Sequence, residues 1–294
     1  MTIDCNKLKS WPFGAVEQTY TDKDTMLYAL SVGLGADPLD ENQLKFVYEK
    51  NLQVLPTMAN VLAYPGNWMR DPAAGIDWLR VVHGEHTMRL HKPLPAAGTI
   101  IGRTRITGVV DKGVGKGALL LRQREIFDQA NGALLATLEQ VSFCRGDGGY
   151  SANGGADGKQ ISDPPPPAPH ELPKTDPQIV CDLPTLPQMA LIYRLCADRH
   201  LLHADPAVAR AAGFPRPILH GLGTLGVAGH ALLKCCCGYD PAKLRSLRLR
   251  FSAPVYPGET IRMEMWKNGA VVSFRARVVE RDIIVLNNGY AEIG

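Results

Sequence analysis

Strand-like segments of mixed apolar and polar residues dominate both halves of the 294-residue chain, and glycine-containing turns separate most of them. Strands joined by such turns form antiparallel meanders. The predicted strands are Ile100–Val110, Ala118–Phe127 and Leu134–Phe143 in the first half, and Leu247–Ser252, Thr260–Trp266, Val271–Val279 and Ile283–Tyr290 in the second.

An apolar segment with helical character precedes the strands of each half, at Leu55–Leu62 and at Gly221–Leu233. A faint repeat supports a duplication, because residues 92–100 (KPLPAAGTI) and 253–261 (APVYPGETI) both place proline and a glycine turn before a strand. A helix followed by a meander that wraps it, twice over, predicts an α+β fold of two hotdog repeats, a double hotdog. Capping residues predict two further helices, Asp24–Leu34 after Thr21 and Pro206–Ala212 after Asp205.

A stretch rich in glycine and proline, residues 146–177, divides the two halves. Glycine makes a chain flexible, and the four prolines at 164–167 give a stiff, extended rod, so the composition is typical of a linker. We therefore predict an N-terminal, degenerate hotdog domain at 1–145, a linker at 146–177 and a C-terminal hotdog domain at 178–294.

Composition narrows the possible partners and location. A net charge of +3 without Lys/Arg runs argues against a nucleic-acid partner. No run approaches the roughly 18 apolar residues of a membrane span. No apolar signal region or Ser-Lys-Leu-type ending is visible, so the cytoplasm is the expected location. The seven cysteines, three of them adjacent at Cys235–Cys237, predict reduced thiols rather than a zinc site.

The richest chemistry lies between Tyr193 and Gly223. Asp198 and His203 stand five residues apart, and an acid and an imidazole held together can activate a water and return its proton. Gly221 begins a predicted helix, whose free N–H groups can bind an oxygen that gains negative charge. The glycines from Gly221 onward also fit G-x-G-x-x-G, but no buried strand precedes them, so we reject a dinucleotide site.

This window resembles the (R)-specific, or type 2, enoyl-CoA hydratases of the MaoC-like dehydratase family. Their pattern contains Gly-Asp-x-Asn-Pro-Leu-His-x-Asp-Pro, then Ala-Gly-Phe and Pro-Ile-Leu-His-Gly. Other stretches with the same resemblance are HGE at 83–85, KPLP at 92–95, DKG at 111–113, PVYPG at 254–258 and MEMWK at 263–267. It extends over nearly the whole chain and is similar to the hydratase 2 module of peroxisomal multifunctional enzymes.

The resemblance implies a reaction and a site. It implies hydration of trans-2-enoyl-CoA to (3R)-3-hydroxyacyl-CoA in the C-terminal domain. One member of the Asp198–His203 pair would accept a proton from water, and the other would protonate C2. Residues implied to bind the acyl-CoA substrate are His83, Gly84, Lys112, His200, Gly221 and Phe251.

The chain departs from the family pattern at two positions, where His200 replaces the Asn and Leu201 replaces the Pro. An imidazole can donate a hydrogen bond as an amide does, but it is larger and can become charged. A weakly active or non-catalytic acyl-CoA-binding relative, or a hotdog thioesterase, therefore stays open as an alternative. The expected partner is an acyl-CoA thioester, with no metal or redox cofactor and a possible homodimer.

Overall fold

One antiparallel sheet of ten strands runs through both halves of the chain in the computed structural model, which describes residues 3–152, 162–196 and 198–294. The spatial order is β1-β3-β4-β5-β2-β7-β10-β9-β8-β6. The strands are β1 (Val16–Tyr20), β2 (Val81–Leu90), β3 (Gly98–Asp111), β4 (Ala118–Asp128), β5 (Leu134–Cys144), β6 (Ile179–Pro184), β7 (Leu244–Phe251), β8 (Thr260–Asn268), β9 (Val271–Val278) and β10 (Ile283–Ile293).

The two halves meet inside this sheet. Strand β2 pairs with β5 of its own half on one side and with β7 of the other half on its second side, with Glu85 opposite Arg250 and His86 opposite Leu249. Backbone hydrogen bonds therefore cross the boundary between the halves, which share one continuous layer.

Six α-helices lie in the described residues: α1 (Cys5–Lys9), α2 (Asp22–Ser31), α3 (Glu41–Leu44), α4 (Met189–Cys196), α5 (Pro206–Ala211) and α6 (Gly221–Cys236). Short 3-10 helices span Pro56–Val61, Trp68–Arg70, Pro72–Ala74, Trp78–Arg80, Leu201–His203 and Pro241–Lys243. The two capped helices are confirmed as α2 and α5. Asp24 accepts the Thr21 backbone N–H at 2.7 Å, and Asp205 accepts that of Ala207 at 2.7 Å.

The long helix α6 is the central helix of the C-terminal half, as its apolar sequence predicts. It is buried along most of its length and packs against β6, β7 and β8. Its glycines allow close packing, because a Cβ on Gly226 would lie 2.5 Å from Val32 and one on Gly229 would lie 2.5 Å from Thr57. The G-x-G-x-x-G run is thus a packing feature.

The N-terminal half has a much shorter counterpart of α6. The predicted helical segment Leu55–Leu62 forms a six-residue 3-10 helix, Pro56–Val61, which packs against α6 and against β2 and β5. This 3-10 helix covers less of its sheet than the sixteen-residue α6 covers in the other half. Polar side chains occupy part of the buried face of that sheet.

All seven predicted strands are confirmed, as β3, β4, β5, β7, β8, β9 and β10. The sequence patterns missed the edge strands β1 and β6 and the central strand β2. Residues 153–161 of the predicted linker lie outside the described residues. Its described parts pack on both halves, since the Asp163 carboxylate accepts the Val109 N–H at 2.8 Å and Trp266 donates to the Thr175 carbonyl at 2.9 Å.

Two expectations from composition can be compared with the structure. The seven cysteines are all free thiols. In the part of the chain that the structure describes, none of the helices combines the length and the apolar character needed to cross a membrane.

Candidate active site

The segment between α4 and α5 brings Asp198 and His200 into a small hydrogen-bonded turn. Asp198 Oδ1 accepts the backbone N–H of His200 at 3.1 Å. His200 Nδ1 in turn accepts the N–H of Leu202 at 3.1 Å, so His200 is the N-cap of the 3-10 helix Leu201–His203. An imidazole therefore fills a capping role that a short polar side chain commonly fills.

His203 is held in one orientation and one tautomer. Its Nδ1–H donates to the Ile218 carbonyl at 2.9 Å, because a carbonyl oxygen only accepts. In the neutral ring, Nε2 then carries a free lone pair. Burial lowers the pKa of His203 below its usual value, with a smaller opposing effect from the hydrogen bond to Ile218. His203 is thus a neutral imidazole that can act as a base.

His220 connects Asp198 and His203, and the sequence interpretation gave it no role. Its Nε2–H donates to the Asp198 backbone carbonyl at 2.9 Å. Its ring stacks on that of His203 with 3.6 Å between centroids and 25° between planes. The centroid of the Tyr193 ring lies 4.9 Å from that of His220. Burial lowers the pKa of His220 to about 3, so the stack stays uncharged. In the sequence, His220 stands out only as the histidine of the Pro-Ile-Leu-His-Gly motif.

Gly221 follows His220 directly and begins α6, so its N–H lies in the first turn, where backbone donors have no partner within the helix. The Phe251 ring covers this position, and a Cβ on Gly221 would lie 3.2 Å from it. Phe251 also packs on His83, with 4.6 Å between ring centroids. Glycine therefore keeps space open between the helix N-terminus and the aromatic ring.

His83 and Gly84 lie on the central strand β2, at a bulge between His83 and Glu85 where the pairing with β5 shifts by one residue. A Cβ on Gly84 would lie 3.2 Å from the Val141 carbonyl oxygen. His83 lies three residues into β2, a strand that the sequence patterns did not predict. Burial, then the charge of Arg122, lowers the pKa of His83 to about 3.

A second histidine, His86, contacts His83, and no sequence pattern points to it. His86 Nε2–H donates to the Asn60 side-chain oxygen at 2.7 Å, and His86 Nδ1 lies 3.2 Å from His83 Nε2. His86 is 3% exposed. These contacts extend from the candidate active site into the N-terminal half.

Lys112 lies apart from the buried residues, at the exposed tip of the β3–β4 hairpin. Its ammonium group is 5.0 Å from the centroid of Phe143 on β5, and Phe143 pairs with Val82, next to His83. The side chain is therefore at the end of the sheet where His83 lies.

The turn that carries Lys112 is fixed by its neighbour Asp111. The carboxylate accepts the N–H groups of Gly113 at 2.8 Å, Gly149 at 2.7 Å and Ser151 at 2.8 Å. Burial alone would raise the pKa of Asp111, but these bonds and the Ser151 hydroxyl outweigh it and lower the pKa to about 2. The residues just before the undescribed part of the linker thus hold this hairpin.

The site residues implied by the sequence divide into two sets. Seven of them are in or beside one network of contacts: Asp198, His200, His203, Gly221, Phe251, His83 and Gly84. Lys112 stands at the surface beyond them. Within the described ranges, no group of three or more His, Cys, Asp or Glu side chains is placed to hold a metal ion.

Several buried histidines with lowered pKa values should make the protein sensitive to acid. Burial is the main cause for His83, His220 and His230, whose pKa values fall to about 3, 3 and 4. In the unfolded chain they take up protons near pH 6.5, whereas the folded chain resists protonation. Their contribution to the free energy of unfolding should therefore be constant above about pH 7 and fall as the pH drops from about 6.5 towards 4. Urea denaturation at a series of pH values measures this, and a flat profile across that window would contradict it.

Two family models match this chain, one in each half. Residues 18–146 match the model of the MFE-2 hydratase 2 N-terminal domain, and residues 169–288 match the MaoC-like domain. The chain is 37% identical over 282 residues to a protein of Arabidopsis thaliana named peroxisomal enoyl-CoA hydratase 2, covering 94% of this chain and 90% of the relative.

Two solved structures resemble this protein over nearly its whole length. A MaoC-like dehydratase from Phytophthora capsici matches with a TM-score of 0.82 and 32% identity, covering 99% of both chains. A Mycobacterium tuberculosis protein described as having a double hotdog fold matches with a TM-score of 0.54, over 96% of this chain and 94% of its own. Its 15% identity supports the fold alone, and the predicted double hotdog is confirmed.

Proposed function

Because this chain belongs to the type 2 enoyl-CoA hydratases of the MaoC-like family, we propose that it is a hydro-lyase that adds water to trans-2-enoyl-CoA. We further propose that the product is (3R)-3-hydroxyacyl-CoA and that the C-terminal half carries the chemistry. The observation that supports this most directly is the placement of a neutral His203, hydrogen-bonded at Nδ1, beside the residues that lead into the N-terminus of α6.

The resemblance implies that each member of the Asp198–His203 pair transfers a proton, but we propose that His203 alone accepts the proton and delivers it to C2. Its free Nε2 accepts a proton from water while the water oxygen bonds to C3 of the enoyl thioester. The resulting imidazolium then gives a proton to C2, so that the elements of one water are added and the ring returns to its neutral form. Asp198 accepts a hydrogen bond from the same water and stabilises the transient positive charge on His203.

The N-terminus of α6 is the proposed site for the thioester oxygen. Attack at C3 moves negative charge onto that oxygen, giving an enolate. The N–H of Gly221 and the positive end of the helix dipole stabilise such a charge. His220 is a positioning residue, because it binds the Asp198 backbone and stacks on His203.

We assign the remaining residues to substrate binding. Phe251 and His83 flank Gly221 and would contact the thioester and the first carbons of the acyl chain. Gly84 leaves the strand backbone open beside His83. Lys112, on a glycine-rich hairpin at the same end of the sheet, fits a phosphate of CoA.

Product analysis separates this function from its alternatives. Incubation with trans-2-enoyl-CoA gives 3-hydroxyacyl-CoA if the protein is a hydratase and free CoA if it is a thioesterase. A non-catalytic acyl-CoA-binding protein returns the substrate unchanged. Chiral chromatography of the hydroxy acid then tests the 3R assignment, and a 3S product would contradict it.

His200→Asn tests the departure from the family pattern. Nδ1 of His200 accepts the Leu202 N–H, a bond that an imidazolium nitrogen cannot accept. An asparagine oxygen accepts the same bond and has no proton to gain. We expect turnover equal to or above that of wild type and a smaller loss of activity on the acidic side. Superimposable pH–rate curves would show that His200 is only a spacer, whereas an inactive variant would give it a catalytic role.

We propose that the reaction needs no metal or redox cofactor. Hydration joins water to a double bond without transferring electrons to another molecule, and the described residues supply an acid, a base and backbone donors. Dialysis against EDTA should therefore leave the hydration rate unchanged. A loss that Mg²⁺ or Zn²⁺ restores would overturn this.

Location and assembly are separate proposals. We keep the cytoplasm as the proposed location, although the Arabidopsis thaliana relative is named peroxisomal. We also propose a homodimer in solution. Light scattering of the purified protein and microscopy of a tagged chain test these two points.

A further inference from the structure

Two arginines lie inside the N-terminal half with no acidic partner beside them. Arg122 is 8% exposed and Arg124 is 5% exposed. Being two residues apart on β4, they point to the same, buried face of the sheet. Within the described part of the chain, neither guanidinium lies within salt-bridge distance of an Asp or Glu.

Much of the hydrogen-bonding capacity of this arginine pair is unused. Arg122 donates one N–H to the Gln140 side chain, and Arg124 donates one to the Asn60 carbonyl at 2.7 Å. Arg122 Nη1 and Arg124 Nε and Nη1 are buried without an acceptor among the described residues. The hydroxyl of Thr104, opposite Arg124 on β3, is also buried without a hydrogen-bond partner among the described residues.

The centroid of the Tyr64 ring lies 5.8 Å from the Arg122 guanidinium and 6.0 Å from that of Arg124, so cation–π contacts offset part of the charge. Two buried guanidinium groups without an anion are still costly. Buried charges are normally paired, and breaking a buried pair strongly destabilises a protein. Burial and the neighbouring Arg122 charge lower the pKa of Arg124 to about 9, so it remains cationic at neutral pH. Water can satisfy the free N–H groups, but it does not neutralise two positive charges. A bound anion does both.

The arginine pair is connected to the proposed active site by direct contacts. Arg124 binds Asn60, whose side chain binds His86. His86 lies against His83, which packs on Phe251 over Gly221. Strand β4 is three strands away from β7, which ends in Phe251, a distance of roughly 14 Å at the usual strand spacing. Arg122 is in register with His86 on β2 and Leu249 on β7, two residues before Phe251. We infer that an acyl chain that leaves a thioester at Gly221 and follows this face of the sheet ends near the pair.

We propose that Arg122 and Arg124 bind a carboxylate at the far end of the acyl chain, so that the enzyme favours enoyl-CoA thioesters of dicarboxylic acids. This rests on the proposed hydratase function. Two guanidinium groups side by side match a carboxylate, which accepts several hydrogen bonds. The phosphates of CoA are the other anions of the substrate, but they suit the exposed Lys112 hairpin better than a buried sheet face.

The test compares pairs of trans-2-enoyl-CoA substrates of equal chain length, one ending in a methyl group and one in a carboxylate. For wild type we expect kcat/KM to favour the carboxylate by about 10–100-fold at the matching length. The Arg122→Met, Arg124→Met double variant should lose this preference and keep its rate with the methyl-ended substrate. Arg105→Met is the matched control, because Arg105 is exposed on β3 and bonds Gln123 at 2.9 Å. It should behave like wild type.

Each other outcome overturns the carboxylate assignment. If wild type and the double variant show no preference at any length, hydration stands and the proposal fails. If the double variant lowers kcat/KM equally for both substrates, and this loss disappears with 3′-dephospho-CoA thioesters, the pair binds a CoA phosphate. If both substrates lose activity equally with either form of CoA, the pair has a structural role.

A binding measurement keeps the proposal testable if hydration itself is absent or the double variant does not fold. Saturated acyl-CoA and its carboxylate-ended counterpart should bind wild type with different affinity, and the latter should raise the melting temperature more. Equal affinities and equal shifts overturn the proposal independently of any catalysis. Burying an unpaired charge is costly, so replacing the two guanidinium groups by apolar side chains should leave the variant folded.

Discussion

Replacing His203 by alanine should lower the rate of hydration by about 10²–10⁴-fold while the fold stays intact. The loss follows from the Nε2 lone pair, which the Nδ1–H bond to Ile218 keeps free. Asp198→Asn should cause a loss of similar size, because an amide still accepts the His200 N–H but carries no charge to stabilise imidazolium. Steady-state kinetics with trans-2-enoyl-CoA measures both.

The two residues should act as one unit. A double variant should therefore lose little more activity than the worse of the two single variants. His91→Ala is the control, since His91 is an exposed histidine just past the end of β2 opposite to His83, where it contacts Thr137 at 2.9 Å. If either single variant of Asp198 or His203 keeps near-wild-type activity, the assigned pair is wrong.

Gly221→Ala keeps the backbone N–H, but its methyl group should displace the thioester oxygen from that donor and lower kcat/KM by about 10²-fold, the scale of losing one oxyanion contact. The new methyl group would lie 3.2 Å from Phe251 and would crowd the space for the thioester. Alanine favours a helix more than glycine does, so the melting temperature should not fall for reasons of helix propensity. Kinetics and thermal denaturation together separate the two effects.

The control for this substitution is Gly14→Ala, where a Cβ would meet no atom within 4 Å. It should have unchanged kinetics. Unchanged kinetics for Gly221→Ala as well would show that the thioester oxygen is not bound at the N-terminus of α6.

The sequence predicts those elements whose buried face is apolar. The strands β3, β5 and β7 to β10 carry that pattern. On β4 the apolar Leu120 and Ile126 flank Arg122 and Arg124. The helix α6 combines apolar residues with glycines that fit against Val32 and Thr57. The sequence does not predict β2, because its buried face carries His86 beside Met88 and a bulge interrupts it at Gly84. In β2 the inward-facing histidine and the bulge together break the period-two pattern.

The residues of the candidate site also differ in whether the sequence points to them. Asp198, His203 and Gly221 were found because they are close in sequence, within one motif. The role of His220 depends on a ring stack and on a bond to a backbone carbonyl, neither of which a pattern of letters specifies. Arg122 and Arg124 look like exposed positions on a polar strand, and only their burial reveals them.

The pairing of β2 with β7 has a consequence for how such a protein evolves. Two identical hotdog subunits that associate through these strands would come apart on dilution, whereas two halves of one chain remain at a high effective concentration. The covalent connection also removes the requirement that both partners be the same. One half can lose its long helix and accept charged residues in its interior, while the other keeps the groups that handle water. Asymmetry in a single polypeptide thus allows each half to specialise, which two identical subunits cannot do.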